Sequence, residues 1–197
     1  MIEFKTIQNQ LFTTPIWESI LTGVDNQSIK QYALGLRDKY PGANISNRGG
    51  WHSKELETPL PSALDELIND LTMFINDYCA QITEINDLIL GNWWININGK
   101  NNYNTEHDHQ NAVLSAVYYV EVLANNTGNL VLHREDPSRY YLGKYKNNST
   151  HFSQQSYITS PTCGKLIIFP AWTKHSVEMN NSETERISIA FNFVEPE

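Results

Sequence analysis

Cysteine is nearly missing from this chain: Cys79 and Cys163 are the only two in 197 residues. Two isolated thiols exclude a disulfide scaffold and a thiolate metal cluster, and neither has neighbours that would activate a nucleophile. Cys79 falls in a helical pattern as a small core residue, and Cys163 in the turn Ser160-Pro161-Thr162-Cys163-Gly164. Basic charge is also scarce, with 14 Lys and Arg against 22 Asp and Glu and a net charge of −8. Without a basic stripe, nucleic acid is not an expected partner. No apolar run is long enough to span a bilayer, and Met1-Ile2-Glu3-Phe4-Lys5 has no signal-peptide character, so the expectation is a cytoplasmic protein with no membrane partner. No internal repeat stands out. The length suits one domain, residues 1–197, with a helical N-terminal part (1–90) and a β core (91–197). Oligomeric state is not legible.

What is present is periodicity of two kinds. Ser28 to Asp38 carries Ile29, Tyr32, Ala33 and Leu36 on one helical face, with Asp25 and Asn26 as caps. Ser62 to Ile82 repeats the stripe with Leu64, Leu67, Ile68, Leu71, Phe74, Ile75 and Tyr78; Pro61 and Ser62 start it, with Asp65 three positions after the cap. Further on, the period becomes two. In Arg186 to Phe193 the residues Ile187, Ile189, Phe191 and Phe193 alternate with Arg186, Ser188, Ala190 and Asn192. Asn92 to Asn98 sets Trp93, Ile95 and Ile97 against Trp94, Asn96 and Asn98. The apolar faces belong under the helices and the polar faces in a cavity. With strands over 113–122, 129–133, 165–169 and 174–179, the predicted fold is mainly β with flanking helices: a double-stranded β-helix, or jelly roll, of cupin-like shape, with the helices on its major sheet. Asn125 to Asn129 reads as a tight polar turn between two of these strands. The polar, tyrosine-bearing stretch Asp136 to Thr159 reads as a lid or a surface excursion.

Chemistry concentrates in two places. His107 and His109, in Glu106-His107-Asp108-His109, project from one face if the segment is extended. His175 ends the run Phe169-Pro170-Ala171-Trp172-Thr173-Lys174-His175, and Arg186-Ile187-Ser188 follows. Three imidazoles suit iron, copper, nickel or zinc alike. The arginine narrows the choice, because a buried guanidinium beside a metal is best explained by a ligand carboxylate that it grips.

These residues resemble the 2-oxoglutarate and Fe(II)-dependent oxygenases, and within them a small family with an HxH…H…RxS pattern. The matching segments are Leu11-Phe12-Thr13-Thr14-Pro15-Ile16-Trp17, Gly49-Gly50-Trp51-His52-Ser53, Trp94 to Asn98, His107-Asp108-His109, Leu114 to Tyr119, Asp136-Pro137-Ser138-Arg139 and the two C-terminal runs. The resemblance implies an oxidoreductase, a dioxygenase acting as a hydroxylase, with Fe(II) on His107, His109 and His175 and 2-oxoglutarate as cosubstrate. Arg186 and Ser188 would anchor its distal carboxylate with Tyr119, and Asn96 would line the pocket. Trp51, His52, Arg48 and Trp172 are candidates for the border of the substrate entrance, where a small molecule or a peptide or protein side chain would bind.

Position 109 departs from the commoner pattern, in which a carboxylate follows the first histidine by two residues. A three-histidine site, a two-histidine site with an extra water, and a site with Asp108 brought round by a bulge are all open, the last least favoured because adjacent strand residues face opposite ways. Two other classes stand beside the oxygenase reading. One is a cupin-like three-histidine enzyme without 2-oxoglutarate, and the other a jelly-roll binding module.

Overall fold

The computed structural model describes residues 7, 13–54, 56–80, 85, 87–137 and 153–196. Two helices precede most of the strands. Helix α1, Asn26–Lys39, begins at Asp25, whose carboxylate accepts from the Ser28 N–H at 3.1 Å, and it buries Ile29, Ala33 and Leu36. Helix α2, Ser62–Phe74, buries Leu64, Leu67 and Leu71 and runs into a π-helical turn over Ile75–Cys79. There Asn76 reaches out of the helix to the Leu88 N–H and carbonyl, at 2.8 and 2.9 Å, and ties it to the start of the barrel. The expected cap at Ser62 and Asp65 is corrected. The helix is capped one residue earlier, at Pro61, which has neither a side-chain acceptor nor an N–H to receive a returning carboxylate.

The strands are β1 Trp17–Ile20, β2 Asn47–Arg48, β3 Trp51–His52, β4 Ile89–Asn98, β5 Tyr103–His107, β6 Leu114–Val122, β7 Leu130–His133, β8 Ser156–Thr159, β9 Lys165–Pro170, β10 His175–Val177 and β11 Arg186–Val194. They form two antiparallel sheets, a major one ordered β1-β9-β6-β11-β4-β3 and a minor one ordered β2-β5-β10-β7-β8. The architecture is the expected mainly β double-stranded β-helix with two helices.

Strand β11 is central, paired along its length with β4 on one side and β6 on the other. Its alternation decides which face is which. Ile187, Ile189, Phe191 and Phe193 are at most 1 % exposed and join Ile95, Ile97, Tyr118, Ile29, Leu64 and Leu71 in the core between sheet and helices. The opposite face, with Arg186, Ser188, Ala190 and Asn192, lines the cavity between the sheets. A smaller core of Tyr119, Leu130, Leu132, Ile167 and Phe169 fills part of that space.

The turn at Asn125 to Asn129 joins two of the strands as expected, and because β6 belongs to the major sheet and β7 to the minor one it crosses between sheets, with Asn126 and Gly128 at φ of +64° and +90°. Of the expected lid, residues 138–152, with Arg139 and His151, lie outside the described residues; its end forms β8. Leu11, Phe12 and the last residues expected of the second helix also lie outside them. Among the described residues no helix is long and apolar enough to cross a membrane.

Candidate metal and cosubstrate site

His107 and His175 stand directly opposite each other on β5 and β10 of the minor sheet. Facing residues on antiparallel strands bring their side chains together, and the two ring centroids lie 4.3 Å apart. The expected extended segment ends at His107, and His109 lies two residues past the strand. A backbone bond from the His109 N–H to the Ala171 carbonyl, 3.0 Å, holds it there, and its ring centroid is 5.2 Å from that of His107 and 5.0 Å from that of His175. One ligand atom from each histidine lies within 4.8 Å of the others, and Asp108 is not in the group.

Two of the rings are oriented by the same device. Nδ1 of His107 sits 2.7 Å from the Thr105 carbonyl, and Nδ1 of His175 sits 2.9 Å from the Thr173 carbonyl. A carbonyl only accepts, so Nδ1 carries the proton and Nε2 keeps its lone pair for a cation. Burial, followed by the neighbouring His107, pushes His175 down to about 3 and His109 down to about 4, and both stay neutral at physiological pH. Neutral imidazoles with converging lone pairs fit a divalent transition metal. Trp94 meets His109 edge-on at 5.4 Å and Phe169 meets His175 at 4.9 Å, so apolar rings close the site laterally.

The same cavity is lined by Arg186, Ser188, Tyr119 and Asn96. Arg186 is 1 % exposed and its Nη1 donates to the Thr127 and Gly128 carbonyls at 2.6 and 2.8 Å, while its Nε has no hydrogen-bond partner. A buried donor without an acceptor is costly, and a guanidinium in that state fits an anion arriving from the cavity. Asn96 Oδ1 and Asn98 Oδ1 are likewise unpartnered. Sequence reasoning missed Asn104 and Ser46, which complete this polar wall with an Asn104 Nδ2 to Ser46 Oγ bond of 3.2 Å. Ser46 lies just before the two-residue strand β2 and Asn104 in the five-residue strand β5, both too short to show a clear alternation.

Residues 92–192, just over half of the chain, match the family model described as "Putative 2OG-Fe(II) oxygenase". The chain belongs to the 2OG-Fe(II) oxygenase family. Its cofactors are those of the family, Fe(II) and 2-oxoglutarate, and the histidine group is where the structure offers a metal its ligands. No curated protein sequence matches the chain. Among solved structures, a Pseudomonas putida prolyl-4-hydroxylase is similar at 16% identity over 95% of this chain and 96% of that one, with a TM-score of 0.64. A Trichoplax adhaerens prolyl hydroxylase, solved with a hypoxia inducible factor peptide fragment, is 13% identical over 92% and 83%, with a TM-score of 0.61. HygX from Streptomyces hygroscopicus, solved with nickel and 2-oxoglutarate, is 11% identical over 93% and 84%, with a TM-score of 0.60. At these identities the likeness is one of fold.

Around the mouth, the structure separates the expected border residues. Trp172 is 60 % exposed in the loop between β9 and β10. His52 is buried, in register with Asn96 and stacked on Trp94 at 5.4 Å. Trp51 instead packs on the helix side and donates Nε1 to the Tyr40 carbonyl, because neighbours on a strand point to opposite faces. Arg48 folds back onto the Ile45 and Asn47 carbonyls.

Proposed function

We propose that the chain is a hydroxylase that couples oxidative decarboxylation of 2-oxoglutarate to oxidation of a C–H bond in a small polar molecule or a peptide side chain. The observation that carries this reading is the sharing of one cavity by three converging histidines and a buried arginine with an unpartnered Nε. His107, His109 and His175 would hold Fe(II), and Arg186, with Ser188 and Tyr119, would bind the distal carboxylate of 2-oxoglutarate. When bound, the iron and cosubstrate supply the oxidising chemistry, with succinate and CO2 as the cosubstrate's products.

The residues of the chain do the rest. The Thr105 and Thr173 carbonyls fix the ring tautomers. Trp94 and Phe169 shield two of the ligands, and Asn96 and Asn98 present polar atoms to whatever fills the cavity. A histidine at 109 in place of a carboxylate leaves the centre one charge unit more positive. Two of the similar structures are named as prolyl hydroxylases, one of them solved with a peptide, and exposed Trp172 next to the ligand loop offers a face for such a chain to lie on.

The test is an anaerobic titration of the Fe(II)-loaded protein with 2-oxoglutarate, followed by the visible charge-transfer absorption. A band in the wild type that weakens in Arg186→Ala supports the reading. Iron uptake with no band at any concentration would sink it and favour an oxygenase without this cosubstrate.

A further inference from the structure

Arg186 enters the cavity with part of its guanidinium already in use. Nη1 donates to two successive carbonyls, of Thr127 at 2.6 Å and Gly128 at 2.8 Å. Among the described residues neither Nε nor Nη2 donates to anything, and Nε is fully buried. In a planar guanidinium, Nε–H and one Nη2–H point the same way, along the edge away from the side of Nη1 held here.

The two carbonyls belong to the turn that crosses from the major to the minor sheet, and its conformation is over-determined. Gly128 has φ +90°, and a Cβ there would meet the Glu178 carbonyl oxygen at 2.0 Å and Arg186 Nη1 at 3.1 Å. The turn is also strapped from outside. Glu178 accepts from Asn129 Nδ2 at 2.7 Å and from the Asn129 N–H at 3.3 Å, while backbone bonds link Glu178 N–H to the Asn129 carbonyl and Asn181 N–H to the Asn126 carbonyl. Glycine is required at 128 because a Cβ would overlap the Glu178 carbonyl, and it would also crowd Nη1 where it sits on the turn.

We propose that the turn at Thr127 and Gly128 is the positioning element of Arg186: by holding Nη1, it aims the Nε/Nη2 edge into the cavity for a side-on, two-bond grip on the distal carboxylate. This rests on the cosubstrate reading above and deepens it. The turn thereby sets the preference for a dicarboxylic 2-oxo acid over one that has only the C1 carboxylate. An arginine free to rotate would still supply charge, but the paired geometry that makes such contacts strong and selective would be lost.

The experiment compares 2-oxoglutarate with pyruvate, which keeps the 2-oxo acid head and lacks the distal carboxylate. Both are titrated anaerobically into Fe(II)-loaded wild type, Gly128→Ala and Glu178→Ala. The wild type is expected to prefer 2-oxoglutarate strongly. Gly128→Ala is expected to lose about tenfold of that preference, with iron content and pyruvate affinity retained, which a merely destabilised protein would not show. Glu178→Ala removes an exposed side chain and is expected to lose about threefold. Unchanged preference in Glu178→Ala overturns the proposal if Gly128→Ala does not fold, and unchanged preference in both overturns it outright. A wild type without a 2-oxoglutarate band removes the cosubstrate reading itself, and the turn's role falls with it.

Discussion

If the three histidines hold the metal as proposed, each should do a separable job, and single substitutions should show it. His107→Ala and His175→Ala each remove a nitrogen whose tautomer the backbone fixes, and Fe(II) affinity is expected to drop by at least about 100-fold, measured by competition with a chelator. His109→Asp rebuilds the commoner two-histidine, one-carboxylate set, so the same competition is expected to show retained iron. Equal loss in all three variants would mean that the pocket around position 109 accepts only an imidazole. The thiols offer a second contrast. Burial pushes Cys79 up to about 12, so it stays a neutral thiol, whereas Cys163 is exposed. Thiol reagent should therefore count one fast group in the native protein and two after unfolding; two fast groups would show that the π-helical turn opens readily.

At the level of elements, one strand does two jobs. The outer face of β11 seats the helices and its inner face carries Arg186 and Ser188, so stability and cosubstrate binding should separate by parity. Phe191→Ala, at a fully buried position, is expected to cost about 3–5 kcal/mol in chemical denaturation. Ser188→Ala is expected to weaken 2-oxoglutarate binding with little change in stability; the reverse pattern would mean that the strand is read backwards.

Alternation of this kind is why β11 and β4 were legible from sequence. Nine or ten residues give period two enough repeats to stand out from helical spacing. Strands β2 and β3 have two residues each and no period to detect. The hold of Thr127 and Gly128 on Arg186 was hidden for another reason: it joins a turn and a strand end 59 and 58 residues apart, and no local pattern encodes that register. Likewise, the approach of His109 depends on the Ala171 carbonyl, far along the chain.

For the whole molecule, the depressed histidines link folding to acidity. His175 at about 3 and His109 at about 4 lie below the ordinary histidine value of 6.5. Between those limits the unfolded chain binds more protons than the native one. The metal-free protein should thus keep its full stability above pH 6.5 and lose it progressively as pH falls toward 3. Thermal midpoints that do not fall between pH 7 and 5 would contradict the burial of these rings.

The two sheets divide the work unequally. Strands β5 and β10 of the minor sheet carry His107 and His175, while β11 of the major sheet carries Arg186. A cosubstrate chelated at one end and gripped at the other would span them like a staple, in a barrel whose minor-sheet strands run only two to five residues. Amide hydrogens of those short strands should then exchange far more slowly with iron and cosubstrate bound than in the free protein, so that occupancy of the cavity would decide how firmly the minor sheet is held.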